Sequence, residues 1–182
     1  MSINPSTAID KALSKAAGES YVTYKLARNG WMAVNANSGV ANMPNLDLIG
    51  LRHDKRITIQ IKAAKADKSI PLAGSYKADG VYFNTKEGPK ADFVVSVMIP
   101  RDGAASPTCY VFPVDVANRL AQEYGDNWAK VPKRDGTKRS TTFPIWLKGD
   151  ATSLATNYRE AWGLLDTAEE ANPISAAARL RR

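Results

Sequence analysis

The residues best suited to chemistry lie in a short segment of the first half of the chain. Residues 56–62 have a strand-like pattern, with isoleucines at alternate positions and polar side chains between them. Because side chains alternate across a strand, the isoleucines share one face while Gln60 and Lys62 share the other. The apolar face must meet a core, and a carboxamide oxygen and an ammonium group stand side by side on the opposite face.

Asp47 lies in the preceding apolar stretch, and a short turn at residues 53–55 joins the two segments. A carboxylate in such a stretch is costly unless it is paired, hydrogen-bonded or bound to a cation. Asp47 precedes Gln60 by thirteen positions across this turn, so the ends of a hairpin would bring them together. Taken singly, a turn-capping Asp47 and a solvated Lys62 are the simpler interpretations.

Taken together, these residues suit a magnesium site. Mg2+ prefers hard oxygen ligands, usually one or two carboxylates with water and phosphate oxygens. Asp47 offers a carboxylate, Gln60 a side-chain carbonyl and Ile61 a backbone carbonyl. Lys62 would orient or deprotonate an attacking water, or neutralise charge on a pentacovalent phosphorus. Glu19, on a predicted helix, would complete the cluster as a direct or outer ligand.

The overall charge indicates a polyanionic partner. The 182 residues contain 25 Lys and Arg against 18 Asp and Glu, a net charge of +7, with a pI near 9.5. A basic balance attracts polyanions, and nucleic acid is the commonest of them. The hydrophobic fraction of 44% is ordinary for a globular core.

Several function classes are excluded by what the sequence lacks. His53 is the single histidine, which excludes a histidine-rich metal site, and neither a P-loop nor a Gly-x-Gly-x-x-Gly motif is present. Cys109 is the single cysteine and is expected to be a buried structural thiol; a Cys109–His53 pair lacks a supporting nucleophile motif. No apolar run approaches the ~20 residues of a membrane span, and the N-terminus does not resemble a signal peptide. We therefore expect a cytoplasmic protein without a membrane partner.

The element pattern predicts an α/β or α+β domain, because one helix is followed by a run of strands and then by mixed elements. We assign residues 1–165 to a single domain and 166–182 to a tail that is helical or mobile. Gly18 is a possible joint in the first helix, and Gly30 occupies its C-terminal capping position. The predicted helices are 8–29, 113–124 and 157–165; the predicted strands are 31–35, 46–51, 56–62, 80–84, 92–99, 108–112 and 143–147; residues 63–77 and 126–142 are predicted as loops.

Three segments together resemble a known family. Gly18-Glu19 on a helix, then Asn45-Leu46-Asp47-Leu48, then Ile59-Gln60-Ile61-Lys62 are similar to the PD-(D/E)XK, or restriction-endonuclease-like, nuclease superfamily. The glutamine resembles the QxK variant found in small uncharacterised bacterial members and in some intron-encoded homing endonucleases. The resemblance spans residues 15–165, although the literal Pro-Asp pair is absent and Gln60 replaces an anionic ligand.

The resemblance implies a central mixed sheet of four to five strands flanked by helices, and an active site of Glu19, Asp47, Gln60 and Lys62. It also implies Mg2+ as the cofactor, with Mn2+ as an expected substitute, bound by Asp47, Gln60, Ile61 and Glu19. The function it implies is metal-dependent hydrolysis of DNA phosphodiester bonds. Because cutting both strands normally requires two active sites, we expect a homodimer or homotetramer.

Candidate DNA contacts are basic or amide side chains near the cluster and in the later loop, since phosphate neutralisation requires Lys or Arg. Two other functions remain open: a catalytically inactive nucleic-acid-binding module, and a protein-interaction module on the same fold. An exposed apolar surface made by Trp146, Trp162, Leu164 and Leu165 would favour the latter. The candidate DNA-binding residues are Asn42, Asn45, Arg52, Lys65, Lys68, Lys133, Arg134, Lys138 and Arg139.

Overall fold

A computed structural model describes residues 5–36, 46–77, 91–102, 105–138 and 142–168. Its two α-helices are α1 (Pro5–Arg28) and α2 (Val114–Lys130). Its strands are β1 (Met32–Asn35), β2 (Leu48–Arg52), β3 (Lys55–Lys65), β4 (Ser69–Lys77), β5 (Phe93–Ile99), β6 (Thr108–Pro113) and β7 (Thr142–Lys148). Two 3-10 helices follow, Gly149–Tyr158 and Trp162–Thr167. The predictions for Asn42, Asn45, Arg139, the strand 80–84 and most of the C-terminal tail lie outside the described residues.

Five strands form one mixed sheet in the order β1-β2-β3-β5-β6. Strands β3 and β5 are parallel, whereas the β1–β2, β2–β3 and β5–β6 pairs are antiparallel. With helices packed on the sheet, this architecture confirms the predicted mixed fold. The β2–β3 hairpin is also confirmed: Leu48 pairs with Ile59, and the turn contains His53 with a φ of 52°.

The sheet separates two apolar cores, and β5 contributes to both. Val94 and Met98 join the α2-side core, formed with α2, β4, β7 and the first 3-10 helix. Val95 and Val97 join the α1-side core, to which α1 contributes Val22 and Leu26. The alternate isoleucines of β3 also belong to the α1-side core, as their spacing predicted.

Helix α1 continues through Gly18, so the predicted joint is absent. Gly18 is buried where α1 crosses β3, and a Cβ atom added to it would lie 2.3 Å from the Cβ of Ala63. A glycine at this position therefore serves close packing of the helix on the sheet rather than a break. The helix ends as predicted, with Gly30 at a φ of 77°.

Two predicted loops contain regular structure. Residues 63–77 were predicted to be irregular, but β3 continues to Lys65 and β4 then pairs with β7 in a second, two-stranded sheet. The predicted end of α2 at Tyr124 is wrong, because the helix continues to Lys130 and buries Gly125. Packing against the α2-side core outweighs the helix-terminating tendency of this glycine. The loop expected from residue 126 therefore starts after α2.

The predicted helix at 157–165 is replaced by the two 3-10 helices. Between them, Glu160 adopts a φ of 50° and its backbone N–H donates to the Cys109 carbonyl at 2.8 Å. Arg159 forms an isolated bridge with Tyr110 of β6. Attachment of this segment to β6 therefore interrupts the helical pattern. Among the described residues, no helix combines the length and apolarity needed to cross a membrane.

Candidate functional site

Asp47 lies where β2 separates from β3. Its backbone N–H donates to the Ile59 carbonyl at 2.9 Å, and its Oδ2 accepts the Ile61 N–H at 2.7 Å. Strand β2 begins at the next residue, Leu48, so the Asp47 carboxylate occupies the place where another strand residue would supply a carbonyl. Asp47 therefore hydrogen-bonds to both residues that flank Gln60, through its backbone N–H and its Oδ2.

Helix α1 brings a second carboxylate to this point. The Lys15 Nζ lies 3.5 Å from Glu19 Oε1 and 3.6 Å from Asp47 Oδ1. The carboxylate side chains are largely shielded, with 19% of Glu19 and 13% of Asp47 exposed, whereas 61% of Lys15 is exposed. Two acids from separate elements therefore face a single ammonium group. We call Lys15, Glu19, Asp47 and Lys62 the Asp47 cluster.

Lys62 is half-buried in β3, beside Ser96 of β5 in the strand register. Burial lowers the pKa of Lys62 below its ordinary value, and the positive charge of Lys15 lowers it further. The Asp47 carboxylate acts in the opposite direction without reversing the shift. Lys62 therefore lies within electrostatic range of Lys15 and Asp47. Its neutral form is reached more easily than that of a solvated lysine.

The predicted site residues approach from both sides of the sheet. Gln60 is buried and leaves β3 on the same side as Lys62, whereas Glu19 belongs to α1, which covers the isoleucine side. From Gln60 onward, no described strand pairs with the β2-side edge of β3, and Asp47 lies at this gap. The sheet edge is therefore the place where these side chains can approach one another.

The donor set fits a divalent cation held by few protein ligands. No group of three or more His, Cys, Asp or Glu side chains among the described residues is arranged to hold a metal. Mg2+ does not require such a cage, because it commonly keeps several waters and takes one or two carboxylates. Within the described part of the chain, Glu19 Oε1 is buried without a hydrogen-bond partner, and it faces the same ammonium as Asp47 Oδ1. One oxygen of each acid thus already faces a cationic group.

Arg52, one of the candidate DNA-binding residues, makes structural contacts. Its guanidinium pairs with Asp166, stacks 4.5 Å from the centroid of the Trp31 ring and donates to the Asn29 carbonyl at 3.4 Å. Lys55 donates to the Asp166 carbonyl at 2.8 Å. Arg52 therefore connects the second 3-10 helix to the hairpin, and its guanidinium is engaged within the protein.

The other described basic candidates are exposed. Lys65 pairs with Asp10 of α1 at 3.4 Å, and Lys68 lies in the turn before β4. After α2, the loop is ordered by Asp135, which accepts hydrogen bonds from the N–H and hydroxyl of Thr137. These hydrogen bonds, chiefly that from the hydroxyl, lower the pKa of Asp135. The loop exposes the remaining candidates Lys133, Arg134 and Lys138.

A second acid-centred group, which we call the Glu160 cluster, was not predicted. Glu160 Oε2 accepts from Lys25 Nζ at 2.7 Å and from the Trp162 indole N–H at 2.9 Å, while Oε1 accepts the Cys109 N–H at 2.7 Å. Cys109 is buried as expected, and burial together with Glu160 raises its pKa to about 12. This thiol is therefore unsuited to nucleophilic chemistry.

Lys15 is the member of the Asp47 cluster that the sequence interpretation missed. Its spacing of four residues from Glu19 is a recognisable helix-pair signal, but nothing in the sequence placed Asp47 beside that pair. Of the four residues expected to form an exposed apolar surface, Trp162 and Leu165 are buried in the α1-side core, and Trp146 and Leu164 are half-buried. That specific support for the interaction alternative is therefore lost.

No family model matches the chain. No curated protein matches it in sequence. Among solved structures, the chain is similar to a bacterial homing endonuclease, I-Ssp6803I, with 18% sequence identity and a TM-score of 0.47, over 91% of this chain and 96% of that chain.

Proposed function

We propose that the protein is a metal-dependent DNA endonuclease that hydrolyses phosphodiester bonds at the Asp47 cluster. The observation that carries this proposal is the position of Glu19 and Asp47, whose carboxylates lie 3.5 Å and 3.6 Å from the Lys15 ammonium nitrogen. The likeness of the Asp47 and Gln60-Ile61-Lys62 segments to the QxK nucleases supports the same assignment.

In this proposal, Asp47 and Glu19 hold Mg2+, or Mn2+ in its place, and the Gln60 side-chain carbonyl and the Ile61 backbone carbonyl are additional oxygen donors. An ion held there would supply a coordinated water of lowered pKa and would polarise the scissile phosphate. The hydrogen bond from the Ile61 N–H orients the Asp47 carboxylate and leaves its other oxygen for the ion. Glu19 is brought to the site by the close packing of Gly18 on Ala63.

Lys62 acts on the attacking water. Because burial lowers its pKa, its amine is neutral in a larger fraction of molecules than that of a solvated lysine. A neutral amine at this position accepts a proton from water, and the resulting ammonium then stabilises the extra charge on the phosphate oxygens. One residue thus serves both steps without a histidine.

The proposed substrate is DNA because the protein carries a net charge of +7 and exposes basic side chains on several elements. Phosphate contacts of Lys65, Lys68, Lys133, Arg134 and Lys138 would position the duplex, as would those of Asn42, Asn45 and Arg139. Cleavage of both strands would require two copies of the chain, as a homodimer or homotetramer.

The direct test is the substitution Asp47→Asn, assayed for nicking of supercoiled plasmid with Mg2+, Mn2+ or EDTA. Asparagine retains a carbonyl oxygen that can accept the Ile61 N–H, so the hairpin should fold while the anionic ligand is lost. We expect cleavage to fall by about 100-fold or more, consistent with loss of a metal-binding acid, while salt-dependent DNA binding persists.

Asp54→Asn is the matched control, because this exposed residue lies in the turn of the same hairpin and loses the same charge. It should cleave as the unaltered protein does. Metal-independent cleavage, or full activity of Asp47→Asn, would reject the proposed function. DNA binding without cleavage by the unaltered protein would instead identify an inactive binding module.

A further inference from the structure

We infer that Lys15 is a built-in competitor for the metal, occupying the space between Glu19 and Asp47 until a divalent cation displaces it. This inference rests on the proposed function, because it concerns the same two carboxylates. It assigns to Lys15 a regulatory role in metal occupancy rather than a catalytic one.

Lys15 faces one particular oxygen atom of each acid. Lys15 faces Glu19 Oε1 and Asp47 Oδ1, whereas Asp47 Oδ2 is occupied by the Ile61 N–H. A divalent cation held by both acids would need Asp47 Oδ1 and the Glu19 carboxylate, and Lys15 faces both of them. Two cations cannot share them at contact distance without strong repulsion, so binding of the ion and the present position of Lys15 exclude each other.

Lys15 can move away from the two carboxylates at a low cost in free energy. Its contacts of 3.5 Å and 3.6 Å are longer than the roughly 2.7–2.9 Å of a charge-assisted hydrogen bond. Its side chain is also 61% exposed, so the ammonium can move into water without breaking a packed core. Lys15 is therefore held by charge attraction, which a doubly charged ion exceeds.

Lys15 also affects the site when no metal is bound. Two largely shielded carboxylates facing one gap would repel each other if no cation lay between them. Lys15 supplies that positive charge, and its position on α1 four residues before Glu19 keeps it within reach. The same lysine therefore stabilises the empty site and weakens the first binding of the ion.

The experiment compares Lys15→Gln with the unaltered chain by calorimetric titration with Mn2+ in the absence of DNA. We expect Lys15→Gln to bind Mn2+ about fivefold more tightly, the scale of removing a weak, exposed ion pair. In EDTA its melting temperature should be lower by about 2–4 °C, a typical shift for ~1 kcal/mol in a chain of this size. Mn2+ should then raise the melting temperature of this variant more than that of the unaltered chain.

Two further variants test whether the effect belongs to the position of Lys15 rather than to its charge or length alone. Lys11→Gln removes the same charge from an exposed position one turn earlier on α1 and should change Mn2+ affinity by less than about twofold. Lys15→Met, which keeps the length of the side chain, should reproduce the effect of Lys15→Gln.

The outcomes separate this inference from the proposed function. Mn2+ binding that depends on Asp47 but is equal or weaker in Lys15→Gln would overturn the competitor role alone. Absence of Asp47-dependent Mn2+ binding in all variants would overturn the proposed function and the competition together. Tighter binding in both Lys15 variants, but not in Lys11→Gln, is the result the inference requires.

Discussion

Two acid-centred clusters fasten α1 to the rest of the molecule, and they differ in how completely their oxygens are satisfied. In the Glu160 cluster, the carboxylate receives three hydrogen bonds of 2.7–2.9 Å from Lys25, Trp162 and the Cys109 backbone. In the Asp47 cluster, one lysine faces two acids at 3.5 Å and 3.6 Å, and Glu19 Oε1 has no hydrogen bond to any described residue.

The difference separates a structural role from a role in binding. A hydrogen-bonded network with every member satisfied rigidifies a fold, whereas an incompletely satisfied network has free energy available for a ligand. Glu160 therefore belongs to the scaffold, and Glu19 and Asp47 to the candidate site. This division can be tested by altering one cluster and measuring the properties expected of the other.

The largest expected effect is that of Lys62→Met on cleavage. Loss of a positioned proton acceptor should slow nicking by about 100-fold or more. Because removing a half-buried amine relieves a desolvation cost, the free energy of unfolding should not decrease. Plasmid nicking and thermal melting measure the two effects, and DNA binding should be nearly unchanged.

Lys25→Met is the counterpart in the Glu160 cluster, since it also removes a lysine amine near an acid. It should lower the melting temperature while leaving the cleavage rate of the folded protein unchanged. If purified Lys62→Met still cleaved DNA at the normal rate, the Asp47 cluster would lose its proposed catalytic base, and the division between the clusters would fail.

The next effect concerns the packing that positions Glu19. Gly18→Ala should lower the free energy of unfolding by about 1–3 kcal/mol, because the new Cβ would lie 2.3 Å from that of Ala63. Helix propensity alone would predict a gain of about 1 kcal/mol. Chemical denaturation gives the sign directly, and cleavage should also decrease because the helix carries Glu19.

Gly163→Ala is the control, since no described residue beyond its neighbours in the chain has an atom within 4 Å of the Cβ it would add. Its free energy of unfolding should be nearly unchanged. Equal stability of the two variants would show that α1 does not depend on the close contact with β3.

The contact of α1 with β3 also marks the limit of what the sequence predicts. The proximity of Asp47 and Gln60 follows from a short turn and strand alternation, both of which are local patterns. The position of Lys15 beside Asp47 depends on where α1 crosses the sheet, which is set by the contact of Gly18 with Ala63. No local pattern encodes that crossing.

Long-range pairing explains the other errors. Strand β4 contains Pro71, a residue that usually argues against a strand, and it is stabilised by pairing with Trp146 and its neighbours in β7. The helix expected after residue 156 is interrupted because Glu160 bonds to Cys109, fifty-one positions earlier. Both features depend on partners distant in sequence, whereas α1 and the β2–β3 hairpin depend on near neighbours.

A smaller effect is expected from Glu160→Gln, which tests the structural cluster. Burial raises the pKa of Glu160, but the hydrogen bonds from Lys25, Cys109 and Trp162 outweigh it, so the net pKa lies below the ordinary 4.5. A carboxyl whose pKa is lowered by folding stabilises the fold at pH values above its pKa in the unfolded state. This contribution is lost as the pH falls through its pKa in the folded state.

Glu160→Gln should therefore lower the free energy of unfolding by about 1–2 kcal/mol at neutral pH. This value is reduced to allow for the partial exposure of the site. Thermal melts from pH 7 down to below 4 should converge for the two proteins, because the unaltered chain loses this contribution in acid. If the difference in melting temperature between the two proteins stayed constant with pH, the partners of Glu160 would not stabilise its charged form.

The smallest effect is expected from Gln60→Glu, which adds a carboxylate to the Asp47 cluster. A buried anion should destabilise the protein in EDTA, since Gln60 is only 5% exposed and lies between Ile59 and Ile61, which both hydrogen-bond to Asp47. With Mn2+ present, the extra anionic ligand should tighten binding several-fold, about 1 kcal/mol, as calorimetry can measure. Asn127→Asp, on the exposed surface of α2, makes the same amide-to-acid change and should leave Mn2+ affinity unaltered. Unchanged affinity in Gln60→Glu would remove Gln60 from the proposed ligands and restrict the metal to the two acids that Lys15 now bridges.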